Sequence, residues 1–345
     1  TCALPIWQYN SYYNKDNNIT INQTIPFPTV FQDERKLGLE KGKLSQLEAD
    51  VLVKDLTQKL AMSFDQYAYL KAQIQYLQSL DSSLLILEEK SKIRLELQDI
   101  SRLDFALVQT KRMRIANDIS LLNSELIGEK RKIAALIKMD DRFLEIAVST
   151  YEMQTRNVSN IDPMAHPYVQ WYQQNEMTVL QEKKVNLSRQ LPEFNVGYFN
   201  QTLVGVQNVN GIDTKFTQAN RFQGYMVGAN VPIFWGGYKN RNEASAIALQ
   251  QNSLQLDQAK QAMQLEYTQL MDRLNLISAN IEKLGGQLTN ELRFLSEDAK
   301  AKFEVGEISF IEFLQIQQQR SELELSYLQL INQYNQTSIQ LNWYR

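Results

Sequence analysis

The stretch FEVGEISFIEF, Phe303–Phe313, occurs in two related versions in this chain of 345 residues. The other version, LELQDISRLDF at Leu95–Phe105, aligns with it without a gap at an offset of 208 positions (303 minus 95). The aligned pairs include Ile100 with Ile308, Ser101 with Ser309, Asp104 with Glu312 and Phe105 with Phe313. A pattern of apolar, hydroxyl and acidic residues repeated at this distance predicts one structural position that the chain uses twice.

The composition around these stretches favours long helices. Gln, Leu, Asn, Glu and Lys dominate, whereas the chain has only 7 Pro and 13 Gly. A formal charge of -3 gives no basic field that would attract nucleic acid. The chain contains no run of eighteen apolar residues, so no transmembrane helix is predicted. Cys2 and His166 are the single residues of their types and cannot form a zinc site, so we interpret both as incidental.

Four heptad patterns predict two antiparallel pairs of helices. In the clearest pattern, apolar residues recur every seven positions from Leu249 to Leu284, with partners four residues later. The other patterns run over Val53–Leu77, Val108–Ile133 and Ile316–Leu341. The predicted helices span about residues 29–80, 84–141, 238–290 and 291–344, and the stretch SLDSS at Ser79–Ser83 separates the first two. At 1.5 Å per residue each helix is roughly 75 Å long.

Other stretches have the period of strands. Ile19–Ile25 alternates apolar and polar residues, and Trp7–Tyr13 is its predicted partner. Residues 194–206 and 221–231 predict a second strand pair around a long exposed loop at 207–220. These lengths fit a membrane-spanning barrel wall, but four strands cannot close a barrel, so several copies of the chain would be required. A soluble sheet that caps a helical stalk is the alternative.

The strand pair and the helix pair both occur twice. Proline marks each strand-to-helix junction, at Pro26 and Pro28 and again at Pro232, 206 positions after Pro26 (232 minus 26). We therefore predict a first repeat at 8–156 and a second at 157–345, which begins with a short helix at 168–189. Residues 1–7 resemble the translation of a sequencing adapter, and we expect them to be non-native, with the natural start missing.

No pattern in the chain predicts chemistry. The Gly-Gly pairs at 236 and 285 lack the Lys-Ser/Thr or GxGxxG context of a phosphate-binding loop. His166 stands beside Pro167 in a linker, and no nucleophile with which it could form a catalytic pair is identified. Carboxylates fall mostly among Lys and Arg on helices, as on solvated faces. We expect no catalytic residue, no cofactor, no resident metal and no enzymatic activity.

Three sequence segments resemble those of TolC-type outer membrane efflux channels: LPEFNVGY, NVPIFWGGYKNRNEASAI and AKFEVGEISFIEFLQIQQ. The resemblance covers nearly the whole chain from about residue 8. In its residues, the chain is most similar to the TolC-like part of Bacteroidetes heavy-metal efflux systems of the resistance-nodulation-division (RND) class. It implies a mainly α-helical protein with a small β part, which forms a homotrimer with a twelve-stranded barrel in the outer membrane and a helical tunnel across the periplasm. The implied partners are a periplasmic adaptor (membrane fusion) protein and an inner-membrane RND pump.

The resemblance also implies a site at the tips of the helical hairpins. In the family, the pattern Val-Gly-x-x-Ser/Thr lies near each periplasmic tip, where the adaptor docks. The implied docking residues are Leu97, Gln98, Asp99, Ile100 and Ser101 in the first half and Val305, Gly306, Glu307, Ile308 and Ser309 in the second. Gln98 stands where the second half has Gly306. Because a helical glycine usually marks a bend or a close backbone approach, we expect the contact made by the first tip to be looser or differently shaped.

The same comparison implies a constriction of the tunnel. Asp104 and Glu312 match acidic positions of the family's constriction, and three copies of each would form an acidic ring suited to cations. Gln315 stands at a second acidic position, and Ile308 stands where the family has an arginine. The alternative is that Asp104 and Glu312 are only exposed helix residues.

Two other functions remain open from the residues alone. A soluble coiled-coil scaffold or tether would explain the helices but not the strand pairs. A periplasmic adaptor would contain one helical hairpin rather than two. The sequence predicts neither the exported substrate nor whether the protein is free-standing or the C-terminal part of a pump fusion.

Overall fold

The chain divides into two compact units in the computed structural model, which describes residues 6–12, 16–155, 161–231, 236–287 and 293–345. Unit one comprises Thr1–Ala49 and Pro167–Lys260, and unit two comprises Asp50–His166 and Gln261–Arg345. Two long helices, α1 (Pro28–Glu96) and α4 (Gly236–Gln287), contribute residues to both units. Each unit therefore combines segments from both predicted repeats.

Unit one contains a four-stranded antiparallel sheet with the strand order β1-β2-β3-β6. The strands are β1 (Ile6–Tyr12), β2 (Asp16–Ile25), β3 (Glu193–Thr202) and β6 (Arg221–Asn230). All four were predicted from the alternation of side chains. The central pairing joins β2 to β3, so a strand of the first half of the sequence is bonded to a strand of the second half.

The predicted strand at 194–206 is too long. β3 ends at Thr202, and Gly205, at a φ of 151°, begins a separate hairpin of β4 (Gly205–Val209) and β5 (Ile212–Phe216). The carboxylate of Asp16 accepts a hydrogen bond from the amide of Val204 at 2.5 Å, which directs the chain away from the sheet. The predicted exposed loop at 207–220 therefore contains most of a small sheet of its own.

One face of the four-stranded sheet is apolar and exposed. The register places Ile21, Tyr198 and Tyr225 in one row across β2, β3 and β6. The exposed apolar and aromatic members of this face are Ile21, Ile25, Phe194, Val196, Tyr225 and Val227, the last two being 84% and 83% exposed. The opposite face of β2 carries Asn and Thr side chains, of which Thr24 donates to Asn195 at 2.8 Å. The sheet is thus two-faced, as the alternation predicted.

The helix α3 (Pro167–Ser188) packs beside the first turns of α1 within unit one. Its Gln181 donates to the carbonyl oxygen of Asp33 at 3.1 Å, and its Ser188 hydroxyl donates to the Asp33 carboxylate. Arg189 forms an ion pair with Glu34 at 2.6 Å. The observed bounds of α3 differ by one residue at each end from the short helix predicted at 168–189.

Unit two contains the turn of the first helical hairpin, and this turn is not where the sequence analysis placed it. α1 continues through Ser79–Ser83 to Glu96, and α2 spans Arg102–Leu136, so the predicted helices at 29–80 and 84–141 have wrong boundaries. The physical reason is that SLDSS contains no glycine or proline. The hydroxyls of Ser82 and Ser83 donate to carbonyl oxygens one turn earlier in the same helix, at 2.9 and 3.0 Å.

The prediction for the second hairpin also needs a correction. Its arms are α4, α5 (Arg293–Glu304) and α6 (Phe310–Trp343), so the predicted continuous helix at 291–344 is interrupted at residues 305–309. The predicted boundary near residue 290 lies outside the described residues. Gly285 on α4 lies against the ring of Tyr327 on α6, at 3.4 Å from the place of a Cβ. This contact is about equally far from residue 306 in both directions, so the chain reverses at 305–309.

The heptad patterns form the core of unit two over most of their length. Buried heptad residues include Leu70, Ile74, Leu77, Val108, Ile115, Met263, Ile277 and Leu341. Val53 and Leu56, at the start of the first pattern, are exposed within the single chain. In that turn of α1 the side chain facing the unit is Asp55, which accepts a hydrogen bond from the indole nitrogen of Trp343 at 2.8 Å.

Candidate functional site: the hairpin tips

The first hairpin turns at residues 97–101 through a defined hydrogen-bond pattern. Gln98 has a φ of 59°, in the left-handed region. Its amide donates to the carbonyl oxygen of Leu95 at 3.1 Å, and the amide of Asp99 donates to that of Arg94 at 2.9 Å. This pair of bonds is the Schellman motif, which satisfies carbonyl groups at the end of a helix.

The second hairpin turns in the same way at residues 305–309. Gly306 has a φ of 80°, its amide donates to the carbonyl oxygen of Phe303 at 3.3 Å, and the amide of Glu307 donates to that of Lys302 at 2.8 Å. Each donor and acceptor lies 208 positions after its counterpart in the first tip (306 minus 98). The two tips therefore have the same closing hydrogen bonds.

The structure corrects our interpretation of the glycine. We expected Gly306 to mark a helical bend or a close backbone approach. Among the described residues, no atom beyond its chain neighbours lies within 4 Å of the place of a Cβ on Gly306. Gly306 instead follows the end of α5 at a positive φ, which glycine adopts without strain. Gln98 adopts the same region of φ, so the absence of a glycine does not change the turn.

The second helix of each hairpin begins with a capping box. The Ser101 hydroxyl accepts from the amide of Asp104 at 3.1 Å, while the Asp104 carboxylate accepts from the amide of Ser101 at 3.0 Å. Ser309 and Glu312 repeat the arrangement at 3.2 and 2.8 Å. Each box satisfies two amide groups that a helix N-terminus leaves without helical partners.

These bonds show what the two predicted acidic positions do within one chain. Asp104 is half-buried and Glu312 is exposed, and each carboxylate is held over the first turn of its own helix. The hydrogen bonds from the backbone and then the side chain of Ser309 hold the pKa of Glu312 below its ordinary value. Gln315 is exposed one turn further along α6. The capping role was not predicted, although the pattern Ser-x-x-Asp/Glu is its usual signal.

The ten predicted docking residues lie together at the two turns. Eight are exposed, and Ile100 and Ile308 are half-buried. Leu97 and Val305, at equivalent positions, are 73% and 72% exposed. They are the most exposed apolar side chains of the two turns.

The two tips are in contact with each other. The guanidinium of Arg94 lies 5.0 Å from the centre of the Phe303 ring and also pairs with Asp99 at 2.6 Å. The Phe303 ring stacks on Phe313 at 4.8 Å between centroids. Because Arg94 belongs to the first tip and Phe303 to the second, one cation–π contact joins the two turns.

A buried polar cluster elsewhere in unit two was not predicted. Asp65 on α1 is only 3% exposed, and its carboxylate accepts hydrogen bonds from four side chains. The donors are Tyr151 at 3.2 Å, Asn332 at 3.2 Å, Asn335 at 3.1 Å and Gln336 at 3.0 Å. Burial, followed by the charge of Asp65, raises the pKa of Tyr151. The available signal was the spacing of the three amide residues on one face of α6, at i, i+3 and i+4.

Two features are absent from the part of the chain that the structure describes. No group of three or more His, Cys, Asp or Glu side chains is placed to hold a metal ion there. Over the same residues, no helix is both long enough and apolar enough to cross a membrane.

Comparison with known proteins gives a structural likeness without a sequence match. No family model matches the chain, and no curated protein matches it in sequence. The fold is similar to the outer-membrane channel OprN, with a TM-score of 0.80 and 10% identity over 99% of this chain and 79% of that one. It is similar to CusC, described for its transmembrane channel formation, with a TM-score of 0.80 and 13% identity over 99% and 81% of the two chains.

A third likeness is to the Campylobacter jejuni outer membrane channel CmeC, with a TM-score of 0.81 and 9% identity over 99% of this chain and 75% of that one. The likeness extends over nearly all of this chain, so the sheet, the helices and both tips have counterparts in one known architecture. Identities this low carry the fold and not the activity. The chain therefore has the fold of the outer-membrane channel proteins.

Proposed function

We propose that the protein is one subunit of a trimeric outer-membrane channel that conducts exported substrate passively from a periplasmic adaptor and an inner-membrane RND pump out of the cell. In this proposal, three copies of the sheet form a twelve-stranded barrel in the outer membrane, and the helices extend into the periplasm as a tunnel. The chain itself performs no chemistry. The likeness in fold to OprN, CusC and CmeC supports the proposal.

The observation that carries the proposal is the apolar face of the sheet. In a soluble protein, exposed Tyr225, Val227 and Ile21 in neighbouring strands would be costly, whereas lipid would accept them. Among the described strands, β1 and β6 each have a neighbour on one side only. In lipid, unpaired strand edges are very unfavourable, so pairing β6 of one copy with β1 of the next would satisfy both edges.

Membrane fractionation followed by sizing in detergent tests the proposal. We expect the full chain in the outer-membrane fraction and a detergent-requiring trimer. Tyr225→Asp with Val227→Asp should reduce insertion strongly, because both side chains would face lipid. Thr20→Asp on the opposite face is the matched control and should insert normally. A soluble, monodisperse protein would instead indicate a coiled-coil scaffold.

We infer further that the chain contains an internal duplication. The starts of α1 and α4 at Pro28 and Gly236, and those of α2 and α6 at Arg102 and Phe310, are both 208 positions apart (236 minus 28 and 310 minus 102). The equal closing bonds of the two tips support the same inference. The proposed repeats remain residues 8–156 and 157–345.

We propose that both tips dock the adaptor, through Leu97–Ser101 and Val305–Ser309. The exposed Leu97 and Val305 support this use because they are the most exposed apolar side chains of the two turns. Single cysteines at these two positions should cross-link to the adaptor in cells. Cysteine at Glu89, on an exposed part of α1, is the control; cross-links there but not at the tips would reject the assignment.

We propose that Asp104 and Glu312, with Gln315, contribute to the constriction of the tunnel. Alanine would remove both the charge and the helix cap, so the informative changes are Asp104→Asn and Glu312→Gln, which keep an acceptor for the serine amide. Single-channel block by Cd²⁺ should weaken in the double variant and persist in Glu322→Gln, which removes the same charge further along α6. Unchanged block in the double variant would remove the constriction proposal.

The cargo that we propose is a heavy-metal cation. This rests on the resemblance of NVPIFWGGYKNRNEASAI to the Bacteroidetes metal-efflux proteins and on the acidic pair at the tips. Metal sensitivity of cells that lack the protein would test it. Sensitivity to drugs without sensitivity to metals would point to a different pump partner.

A further inference from the structure

The hairpin of β4 and β5 stands at the end of the main sheet that lies farther from the helices. It connects β3, which ends at Thr202, to β6, which begins at Arg221. The opposite end of the sheet leads into α1, because β2 ends at Ile25 and α1 begins at Pro28. In the proposed barrel, the hairpin therefore stands at the extracellular mouth.

The hairpin joins the sheet on the face that would line the channel. Tyr225 and Val227 belong to the exposed apolar face of β6, so Phe222 and Met226 belong to the opposite face, called the lumen face below. The ring of Phe216, the last residue of β5, lies 5.3 Å from the Phe222 ring between centroids. The hairpin therefore leaves the sheet on the side of the lumen face.

A closed turn between β5 and β6 supports this direction. The amide of Asn220 donates to the carbonyl oxygen of Thr217 at 3.0 Å, and the Thr217 amide donates to the side-chain oxygen of Asn220 at 2.9 Å. A turn closed in this way reverses the chain. β5 is therefore not a continuation of β6, and the two strands belong to separate sheets.

The far end of the hairpin has a fixed shape. Asn210 and Gly211 have φ values of 55° and 84°, as in the type I′ turn of tight hairpins. The Asn208 side chain accepts from the Gly211 amide and donates to the Asp213 carboxylate, both at 2.9 Å. This end of the hairpin is thus held by its own hydrogen bonds and presents its side chains in a constant arrangement.

Two apolar residues flank the turn at this end. Val209 and Ile212 are cross-strand partners, 43% and 71% exposed, on the same face of the hairpin as Phe216. Val206 lies on the other face, where its cross-strand partner is Lys215. Single exposed apolar residues are ordinary on a protein surface, so exposure alone does not indicate a partner for the apolar pair of Val209 and Ile212. The position of this pair in the proposed trimer does indicate one.

The hairpin is long enough to reach the channel axis. Twelve strands about 4.8 Å apart and tilted by about 40° close into a barrel with a backbone radius of about 12 Å. Two strands of 5 residues each and the turn between them extend over about 18 Å. A hairpin that leaves the barrel wall on the lumen face can therefore bring its apolar pair to the axis, where the pairs of three copies meet.

We propose, on the basis of the channel function proposed above, that the β4–β5 hairpin is a lid of the extracellular mouth and that its apolar pair binds the same pair in the other two copies. Val209 and Ile212 of three copies form an apolar constriction on the axis, which excludes water and ions while it is closed. Only two side chains per copy hold the lid shut, so exported cargo can displace them without disturbing the pairing of the barrel strands.

Cross-linking of the full chain in the outer membrane tests the contact between copies. Cys2 is the single cysteine of the sequence, so a Cys2→Ser background leaves the introduced thiol as the only one. We expect Ile212→Cys to give a covalently linked pair of chains with a short bifunctional maleimide. Val206→Cys, also exposed but on the other face of the hairpin, is the matched control and should stay unlinked. Unlinked Ile212→Cys, or equal linking of both variants, would overturn the lid.

Access from outside the cell tests the closure itself. Met226→Cys places a thiol on the lumen face, and a bulky, membrane-impermeant maleimide reports whether the mouth above it is open. Adding Val209→Asp and Ile212→Asp should raise the labelling rate about tenfold, because the carboxylates of three copies repel each other and shift the lid to its open state. Adding Val206→Asp instead should leave the rate unchanged. Equal rates in all three proteins would overturn the closure.

Sizing in detergent separates this lid from the function on which it rests. A trimer with unlinked Ile212→Cys chains and unchanged labelling rejects the lid and leaves the channel function standing. If no trimer forms, the channel function fails and the lid fails with it. The double aspartate variant should remain a trimer, since neither Val209 nor Ile212 takes part in the strand pairing of the main sheet.

Discussion

At the scale of single residues, the two tips have the same backbone conformation at equivalent positions that hold different residues. Gln98 and Gly306 both have positive φ values. For a residue with a Cβ this conformation is strained, whereas glycine adopts it readily. The strain at Gln98 is tolerated because the Schellman bonds and the capping box on either side fix the turn. The sequence showed the difference between the tips but not that the backbone is shared.

Reciprocal substitutions should therefore have opposite effects. Gln98→Gly should stabilise the first turn by about 1 kcal/mol, and Gly306→Gln should destabilise the second by a similar amount. Hydrogen exchange at the amides of Asp99 and Glu307, which donate the closing bonds, would slow about fivefold in the first variant and accelerate in the second. A change of the same sign in both would contradict the strain argument.

His166 is a second residue whose environment matters more than its type. We interpreted it as incidental from the sequence, yet it is 1% exposed and packs against Trp343. Burial, and then the positive charge of Lys54, lowers its pKa from 6.5 to about 4. Between these two pH values the unfolded chain binds more protons than the folded chain, so stability falls as the pH drops.

We expect the free energy of unfolding to decrease by up to about 3 kcal/mol between pH 6.5 and pH 4 because of this histidine. His166→Phe keeps an aromatic ring against Trp343 and removes the titration, so its stability should depend less on pH over that range. Denaturant unfolding at several pH values measures this. The same pH slope in the variant and the parent would assign the effect to other groups.

At the scale of elements, the decisive features are the ends of the helices. α2 and α6 are capped at their N-termini by Ser101 and Ser309, whose capping boxes allow the chain to reverse and start a new helix within a few residues. The helix end predicted at Ser79–Ser83 was wrong because these serines lie inside α1 rather than at a helix N-terminus. Serines inside a helix bond to carbonyl groups of the preceding turn and leave the helix intact, whereas serines at an N-terminus bond to amides that have no other partner.

Ser101→Ala and Ser309→Ala should each cost about 1 kcal/mol at the start of their helices. Exchange at the amides of Asp104 and Glu312 should accelerate, because these amides donate to the serine hydroxyls. Ser82→Ala in the interior of α1 is the control and should change stability little. An equal loss in all three variants would refute the distinction between cap and interior.

At the scale of the whole molecule, the Asp65 cluster ties segments that are far apart in the sequence. Asn335 on α6 donates to Asp65 and to the carbonyl oxygen of Glu152, and its own side-chain oxygen accepts from the amide of Gln154 at 2.8 Å. α1, α6 and the extended segment at 144–155 are thus joined through one buried carboxylate. A buried charge of this kind is stable only when its hydrogen bonds are made.

Asp65→Ala should destabilise unit two by about 3 kcal/mol, because several buried donors lose their acceptor. The extended segment at 144–155 should then become sensitive to limited proteolysis before the helices unfold. Glu89→Ala on an exposed part of α1 is the control and should have little effect. Proteolysis that begins elsewhere in the Asp65 variant would argue against the anchoring role of the cluster.

Periodicity determined much of this protein from its sequence. The four strands of the main sheet, the long helices and the repeated stretch follow from local patterns of apolar residues. These patterns match the side-chain periods of strands and helices. The outer ends of the helices were harder to predict. SLDSS and VGEIS are both short polar interruptions, and only the φ of Gly306 and the caps at Ser101 and Ser309 distinguish a turn from a continuing helix.

The tertiary structure alone decided which polar residues are buried and what they contact. Asp65, His166 and Tyr344 look like ordinary helix or linker residues in the sequence, because burial is set by segments hundreds of positions away. The Asp65 cluster and the packing of the His166 ring on Trp343 both depend on such long-range contacts. The sequence determined the elements and their order, since those depend on neighbours along the chain, whereas the polar centres depend on neighbours in space.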